Sequence, residues 1–358
     1  MVVPSFETGG VEKAVTEIAS NMSLVENVEV HLVVFGMIPK IFHPVSRKVK
    51  VHLAPFVFDP GHQLDNTFRS MRFLRQTIRE IDPYSTLCFG EKWSFLLLVA
   101  LSGLSYRVFV SERAEPWKTS WLNRWIKRLI MRKAEGVIVQ SQSAQELYHS
   151  LFPEKSIYKI NDPFVQNGNF TSIRKEKVVL AVGPLGPNNR LDQLIRQFRN
   201  VRMPGWKLVI TGGDSFLQHY VDKLKETIRD LQADDYVILA GSRIDMNYYY
   251  GMSSVFAHVS TSAGSSYALG EAMSAGIPVV GFNSGTRGDN MVEHGSSGLL
   301  APSGDFHTIG LYLRQLMNYP GLGNKMGFYA RQKMQQYKPM DIGESYYKCL
   351  VLDKSLLS

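Results

Sequence analysis

Short apolar runs rich in Val, Ile, Leu and Phe recur along the chain, separated by longer stretches whose apolar positions follow a helical spacing. In the N-terminal half the runs are 28–35 (VEVHLVVF), 49–55 (VKVHLAP), 85–90 (STLCFG), 106–112 (YRVFVSE) and 136–141 (GVIVQS). The rhythm resumes at 177–185 (KVVLAVGPL), 206–213 (WKLVITGG), 236–241 (YVILAG), 254–262 (SVFAHVSTS) and 277–282 (IPVVGF). Strands this apolar are covered on both faces, and their alternation with helical patterns predicts parallel sheets flanked by helices. Between the two series, residues 161–177 carry Pro, Gly, Asn and a charged end, the composition of a linker. The pattern predicts an α/β protein of two doubly wound, Rossmann-like domains, residues 1–165 and 166–335, facing each other across a cleft. A C-terminal helix within 336–358 is expected to return to the first domain. In such sheets ligands bind beyond the carboxyl ends of the strands, which makes that cleft the default site.

Composition narrows the class. The chain has 358 residues, of which 44% are hydrophobic and 20% charged, as in a globular protein with room for two cores. No apolar run approaches the ~20 residues of a membrane span; residues 95–104 (FLLLVALSGL) read as a buried helix. The first residues, MVVPSFETGG, lack the basic and apolar regions of a signal peptide. The two cysteines, Cys88 and Cys349, make no disulfide framework and read as core thiols of a reducing cytoplasm. A net charge of +8 fits an anionic membrane face or phosphorylated small substrates. No zinc-finger, RRM-like or Arg-rich pattern points to nucleic acid. The nine histidines have no metal spacing, and no Ser-His-Asp or Cys-His arrangement stands out.

Three strand-glycine-helix junctions can carry chemistry. At the first, Gly9 and Gly10 let backbone N–H groups approach a ligand, and the following helix offers its positive end to a phosphate. At the second (VGPLGPNNRLDQLI), Gly183 ends a strand, Asn188 or Asn189 caps a helix, and Arg190 falls in its first turn. A cation there opposes the helix dipole, so it is either solvated or aimed at an anion. At the third (STSAGSSYALGEAM), Gly264, Ser265, Ser266 and Tyr267 lead into a helix that stops at Gly276, with Ser265 or Ser266 as the cap. Glu271 lies under two turns into that helix, where it is either a surface residue or faces the cleft.

These junctions resemble the retaining GT-B glycosyltransferases of glycosyltransferase family 4. The residues in register are Ser260, Gly264, Leu269, Glu271, Ala272, Met273, Gly276, Pro278, Val279 and Val280, continued by MVEHGSSGLLAP from Met291. The stretches VGPLGPNNRLDQLI and GGVEKA match upstream, and VSERAEP is similar to a subgroup that builds bacterial surface polysaccharides. The resemblance implies a GT-B fold and transfer of a sugar, with retention, from a UDP- or GDP-linked donor to a polysaccharide or lipid-linked acceptor without a metal. It also exposes departures. Where the family has an Arg and a Lys for the diphosphate this chain has Pro184 and Asn189; the first Glu of the sugar-gripping pair is Ala263, and a further Glu is Asn290. Glu271 remains. Arg190 or Arg287 can replace the lost cations; the alternative is a catalytically inactive partner or glycan-binding subunit of another glycosyltransferase.

On the acceptor side, Glu91 and Lys92 follow one strand end and Glu112 and Arg113 the next; the latter two either line the site or pair with neighbours. Residues 116–136 carry Lys118, Arg124, Lys127, Arg128, Arg132 and Lys133 with Trp117, Trp121 and Trp125 four apart. A basic amphipathic helix with Trp suits the inner face of a cytoplasmic membrane, and its apolar stripe equally suits the sheet.

Overall fold

The computed structural model describes residues 1–4, 10–36, 43–56, 61–112, 128, 130–164, 173–213, 218–243, 245–260, 266–283 and 291–352, without the side chains of Glu91, Gln218 and Ser266. Two compact units emerge: residues 1–163 with 339–358, and residues 164–338.

In the first unit, seven parallel strands form one sheet among the described residues: β1 (Val2–Val3), β2 (His31–Val34), β3 (Lys50–Leu53), β4 (Thr86–Phe89), β5 (Val108–Ser111), β6 (Gly136–Val139) and β7 (Ser156–Lys159), in the order β3-β2-β1-β4-β5-β6-β7. Alternate side chains along each strand serve opposite faces. Val2, Cys88, Val110 and Val137 join α2 (Gln63–Ile81), α3 (Glu91–Ala100) and α4 (Gln142–Leu151) on one side. Val3, Leu87, Phe109 and Ile138 pack on the other side with α1 (Gly10–Met22) and the last helix of the chain. Both cysteines are buried free thiols, and burial pushes each up to about 12. Neither is a thiolate at neutral pH.

The second unit holds a six-stranded parallel sheet, again counted among the described residues. Its strands are β8 (Val178–Val182), β9 (Lys207–Thr211), β10 (Val237–Gly241), β11 (Val255–His258), β12 (Val279–Asn283) and β13 (Gly298–Pro302), ordered β10-β9-β8-β11-β12-β13. Its helices are α5 (Leu191–Val201), α6 (Gln218–Asp230), α7 (Asn247–Met252), α8 (Ser266–Ser274), α9 (Phe306–Asn318) and α10 (Pro320–Lys333). α5 shows why sequence becomes structure here: Leu191, Leu194, Ile195 and Phe198, at i, i+3, i+4 and i+7, are its buried residues and join the core over β8 and β9. The chain then leaves this unit, and α11 (Pro339–Leu350) packs on α1 of the first, with Gly343 against Asn21 and Tyr346 fully buried.

The loops at the carboxyl end of the second sheet are drawn tightly together. A Cβ on Gly212 would stand 1.8 Å from the carbonyl oxygen of Gly183, a backbone atom that cannot swing aside. Gly212→Ala is therefore expected to lower the unfolding free energy by about 1–3 kcal/mol, read from the midpoint of urea denaturation.

Candidate functional site

The strand order of the second sheet reverses at β8, with β9 and β10 on one side and β11, β12 and β13 on the other. The crevice beyond the carboxyl ends at such a reversal is where doubly wound sheets bind ligands. Two segments leave the sheet there: residues 183–190 after β8, and the chain leading from its neighbour β11 into α8. They carry Gly183 and Arg190 on one strand end, Tyr267 and Glu271 on the next.

The first segment is pinned by backbone hydrogen bonds, from Gly183 N–H to Thr211 C=O (3.1 Å) and from Leu185 N–H to Gly213 C=O (3.0 Å). A short 3₁₀ turn, Pro187–Asn189, follows, with proline in its first position, where no N–H is needed. This turn changes the expected cap. Neither Asn188 nor Asn189 caps α5; Arg190 does so as the junction residue, with no side-chain cap bond and a left-handed backbone at φ 44°, ψ 38°. A non-glycine residue in that region costs roughly 1–2 kcal/mol. Asn189 turns inward instead: it is 5% exposed, its Nδ2 donates to the Pro184 carbonyl, and its Oδ1 is buried without a hydrogen-bond partner.

Arg190 remains half-buried, its guanidinium beside Gly304 in the turn after β13, and forms no ion pair among the described residues. The amino end of α5 is already satisfied by its own surroundings. Tyr220 Oη accepts from Leu191 N–H (3.1 Å) and donates to Asp192 (3.1 Å), and Lys223 pairs with Asp192 at 2.8 Å. Partial burial alone would raise the Asp192 carboxyl, but the bonds from Lys223 and Tyr220 outweigh it and hold it below the usual range. The charge left over is Arg190, strained in its backbone and set against the helix dipole.

α8 holds the second group. Its carboxyl end is a Schellman stop: Gly276 at φ 73°, Gly276 N–H on Met273 C=O (2.9 Å) and Ile277 N–H on Ala272 C=O (3.1 Å), with Pro278 beyond. Arg331 adds a bond to Ser274 C=O at 3.1 Å. On the helix side, Gly270 lies against the ring of Phe164, which also packs on Tyr267 (5.0 Å between centroids) and Tyr337 (5.7 Å). Tyr267, a donor-binding candidate, thus has its ring in a buried aromatic cluster at 5% exposure. Glu271 is half-buried, and its Oε2 accepts from Tyr250 Oη at 2.9 Å.

Tyr250 was not singled out by sequence. It sits in the run Tyr248–Tyr250 on α7, is 2% exposed, and burial together with the Glu271 charge raises its hydroxyl well above the ordinary tyrosine range. It is a permanent donor that fixes one carboxylate oxygen. Removing the hydroxyl with Tyr250→Phe keeps the ring packed on Phe256. It is expected to lower turnover about tenfold through loss of one hydrogen bond to a charged group, measured as kcat beside an unchanged circular-dichroism spectrum.

In the first unit, Gly10 opens α1 after β1, the strand at which the first sheet reverses its order. Lys92 is exposed in the first turn of α3 beyond β4. Glu112 follows the adjacent β5, is 4% exposed, and its N–H bonds Ile138 C=O at 2.9 Å. Beside it, buried Gln140 donates to Ser111 Oγ at 3.2 Å, two polar residues the apolar pattern did not mark. Gly9, Arg113, Gly264, Ser265 and Arg287 lie outside the described residues, as do most of residues 113–129 and the side chains of Glu91 and Ser266. Among the described residues no group of His, Cys, Asp and Glu is arranged to hold a metal. His258 on β11 is pushed down to about 4 by burial and stays neutral.

Comparison with known proteins agrees with this architecture. Residues 167–333 match the family Glycosyl transferases group 1. The chain is 22% identical over 336 residues to an uncharacterized glycosyltransferase of Haemophilus influenzae, covering 92% of each. It is 25% identical over 250 residues to the amylovoran biosynthesis glycosyltransferase AmsD of Erwinia amylovora, covering 68% of each. Among solved structures, Anabaena HepE in complex with UDP-glucose shares the fold at a TM-score of 0.78 with 19% identity, over 97% of this chain and 98% of that one. The two parallel-sheet units thus have the GT-B fold.

Proposed function

We propose that this chain, whose residues 167–333 match the family Glycosyl transferases group 1, is a retaining glycosyltransferase of the family 4 type that moves a sugar from a nucleotide donor to a surface polysaccharide or lipid-linked glycan. The observation that carries the reading is the pair of groups at the reversal of the second sheet: a strained Arg190 after β8, with no ion pair among the described residues, and a tyrosine-oriented Glu271 after β11. Transfer leaves a nucleoside diphosphate, and a preorganised cation stabilises the charge that develops as the sugar departs. Arg190 supplies that cation in place of the residue at Asn189, whose side chain is spent on Pro184. Glu271, held by Tyr250, accepts from donor hydroxyls. The crystallised likeness with UDP-glucose favours a uridine donor over a GDP-linked one, and AmsD favours a polysaccharide acceptor. No metal is needed, since the Arg190 cation takes its place. The enzyme works on the cytoplasmic side, peripheral to the membrane; among the described residues no helix is long and apolar enough to cross it.

The test is release of nucleoside diphosphate from a panel of nucleotide sugars in the presence of membrane extracts containing lipid-linked glycans. Release with one donor supports the reading. Absence of release with every donor, together with co-purification of a second glycosyltransferase bearing the missing Arg, Lys and paired Glu, would favour the inactive-subunit alternative to which the inward Asn189 lends weight.

A further inference from the structure

The outer surface of α2 carries a pattern that the proposed reaction leaves unused. Asn66, Ser70, Leu74, Thr77 and Ile78 are its buried residues, so the opposite side looks to solvent. On that side Leu64 is 79% and Phe68 69% exposed, and Arg72 and Arg79 continue the same stripe at i+8 and i+15. Asp65 lies beside the stripe and is paired with Arg69 at 2.8 Å. Arg72 and Arg79 have no ion pair among the described residues.

Hydrogen bonds tie this helix to the basic stretch of the sequence. Arg75 donates to the carbonyls of Ala100 (2.7 Å) and Ser102 (3.0 Å) at the end of α3, and Lys133 donates to Ser102 Oγ at 2.8 Å. Met131 and Ala134 pack into the same core cluster as Leu74 and Ile78. α2 and the end of the basic stretch, with exposed Arg128 and Arg132, therefore lie on one face of the first sheet. The apolar pair sits at the amino end of α2, beyond the carboxyl end of β3, the same end of the sheet at which Lys92 and Glu112 follow β4 and β5.

We infer that this face docks on an anionic lipid bilayer, with Leu64 and Phe68 entering the acyl boundary and Arg72, Arg79 and Arg128 on lipid phosphates. A protein partner would need a complementary groove and about 800 Å² on each side. Two protruding apolar side chains on an exposed helix face, followed by arginines with no ion pair among the described residues, need only a deformable anionic surface. The inference deepens the proposed function, because it brings the acceptor edge of the first sheet to the membrane where a lipid-linked glycan resides. Its test requires no activity, so its failure and that of the proposed reaction are separable.

Sedimentation of the full chain with phosphatidylcholine vesicles, with and without phosphatidylglycerol, is the experiment. Binding to the anionic vesicles is expected to exceed binding to neutral ones and to weaken with salt. Leu64→Glu with Phe68→Glu is expected to reduce it on the order of tenfold, with the melting temperature unchanged because both side chains are exposed. Arg72→Glu with Arg79→Glu is expected to reduce binding to anionic vesicles alone. Wild-type binding in the double glutamate variant would overturn the assignment of this surface, as would a wild-type chain that binds neither vesicle.

Discussion

Arg190→Ala is expected to cut turnover on the order of 10²- to 10³-fold, the loss that follows removal of one preorganised donor at a developing negative charge. Stability should behave differently from activity, and the geometry says how. Arg190 occupies a left-handed backbone at φ 44° at the amino end of α5, where its charge opposes the helix dipole. Arg190→Gly relieves a strain of roughly 1–2 kcal/mol and gives back about 0.5–1 kcal/mol to the freer unfolded chain. The glycine variant should therefore be as stable as the wild type, or more stable by up to about 1.5 kcal/mol, while losing turnover as fully as the alanine variant. Urea unfolding and steady-state kinetics on the same preparations check this. A glycine variant that keeps wild-type turnover would remove Arg190 from the site.

Glu271→Ala and Glu271→Gln are expected to lower turnover by about 10²-fold alike yet to differ in stability. The alanine variant deprives a 2% exposed Tyr250 hydroxyl of its acceptor at 2.9 Å, leaving only the longer contact to Ala268 C=O at 3.4 Å. A buried donor left unsatisfied costs about 1–3 kcal/mol. Glutamine offers an amide oxygen in the same place and keeps that bond, so its unfolding midpoint should stay near the wild type. If glutamine retains turnover, the carboxylate charge has no part in the reaction and Glu271 is a packing residue of α8.

Much of the architecture was legible because the apolar runs are long for a reason: both faces of the parallel sheets are covered, so Val33, Val110, Val179 and Val280 cannot alternate with polar residues. Three strands lie outside those runs: β1 has only two residues, and β7 and β13 are sheet edges. β7 is only partly covered, with Ile157 its one buried residue, so no continuous apolar run betrays it. Of the site, the glycine turns and Glu271 stood out because a helix amino end needs small residues before it. The backbone of Arg190 did not, since Asn188 and Asn189 are better caps by type; the 3₁₀ turn begun by Pro187 shifts the junction to Arg190. Tyr250 was invisible because its partner lies 21 positions away across two helices. The inward turn of Asn189 was equally invisible, since only the folded loop brings Pro184 within its reach.

The most direct measurement of the central claim is the melting temperature of the purified chain against nucleotides and nucleotide sugars. A site saturated to about 100 times its dissociation constant adds about 2.7 kcal/mol to stability, several degrees of melting temperature at this size. A nucleotide sugar that raises the wild-type melting temperature but leaves Arg190→Ala unmoved is the result expected of a working donor site. No shift with any donor would contradict it.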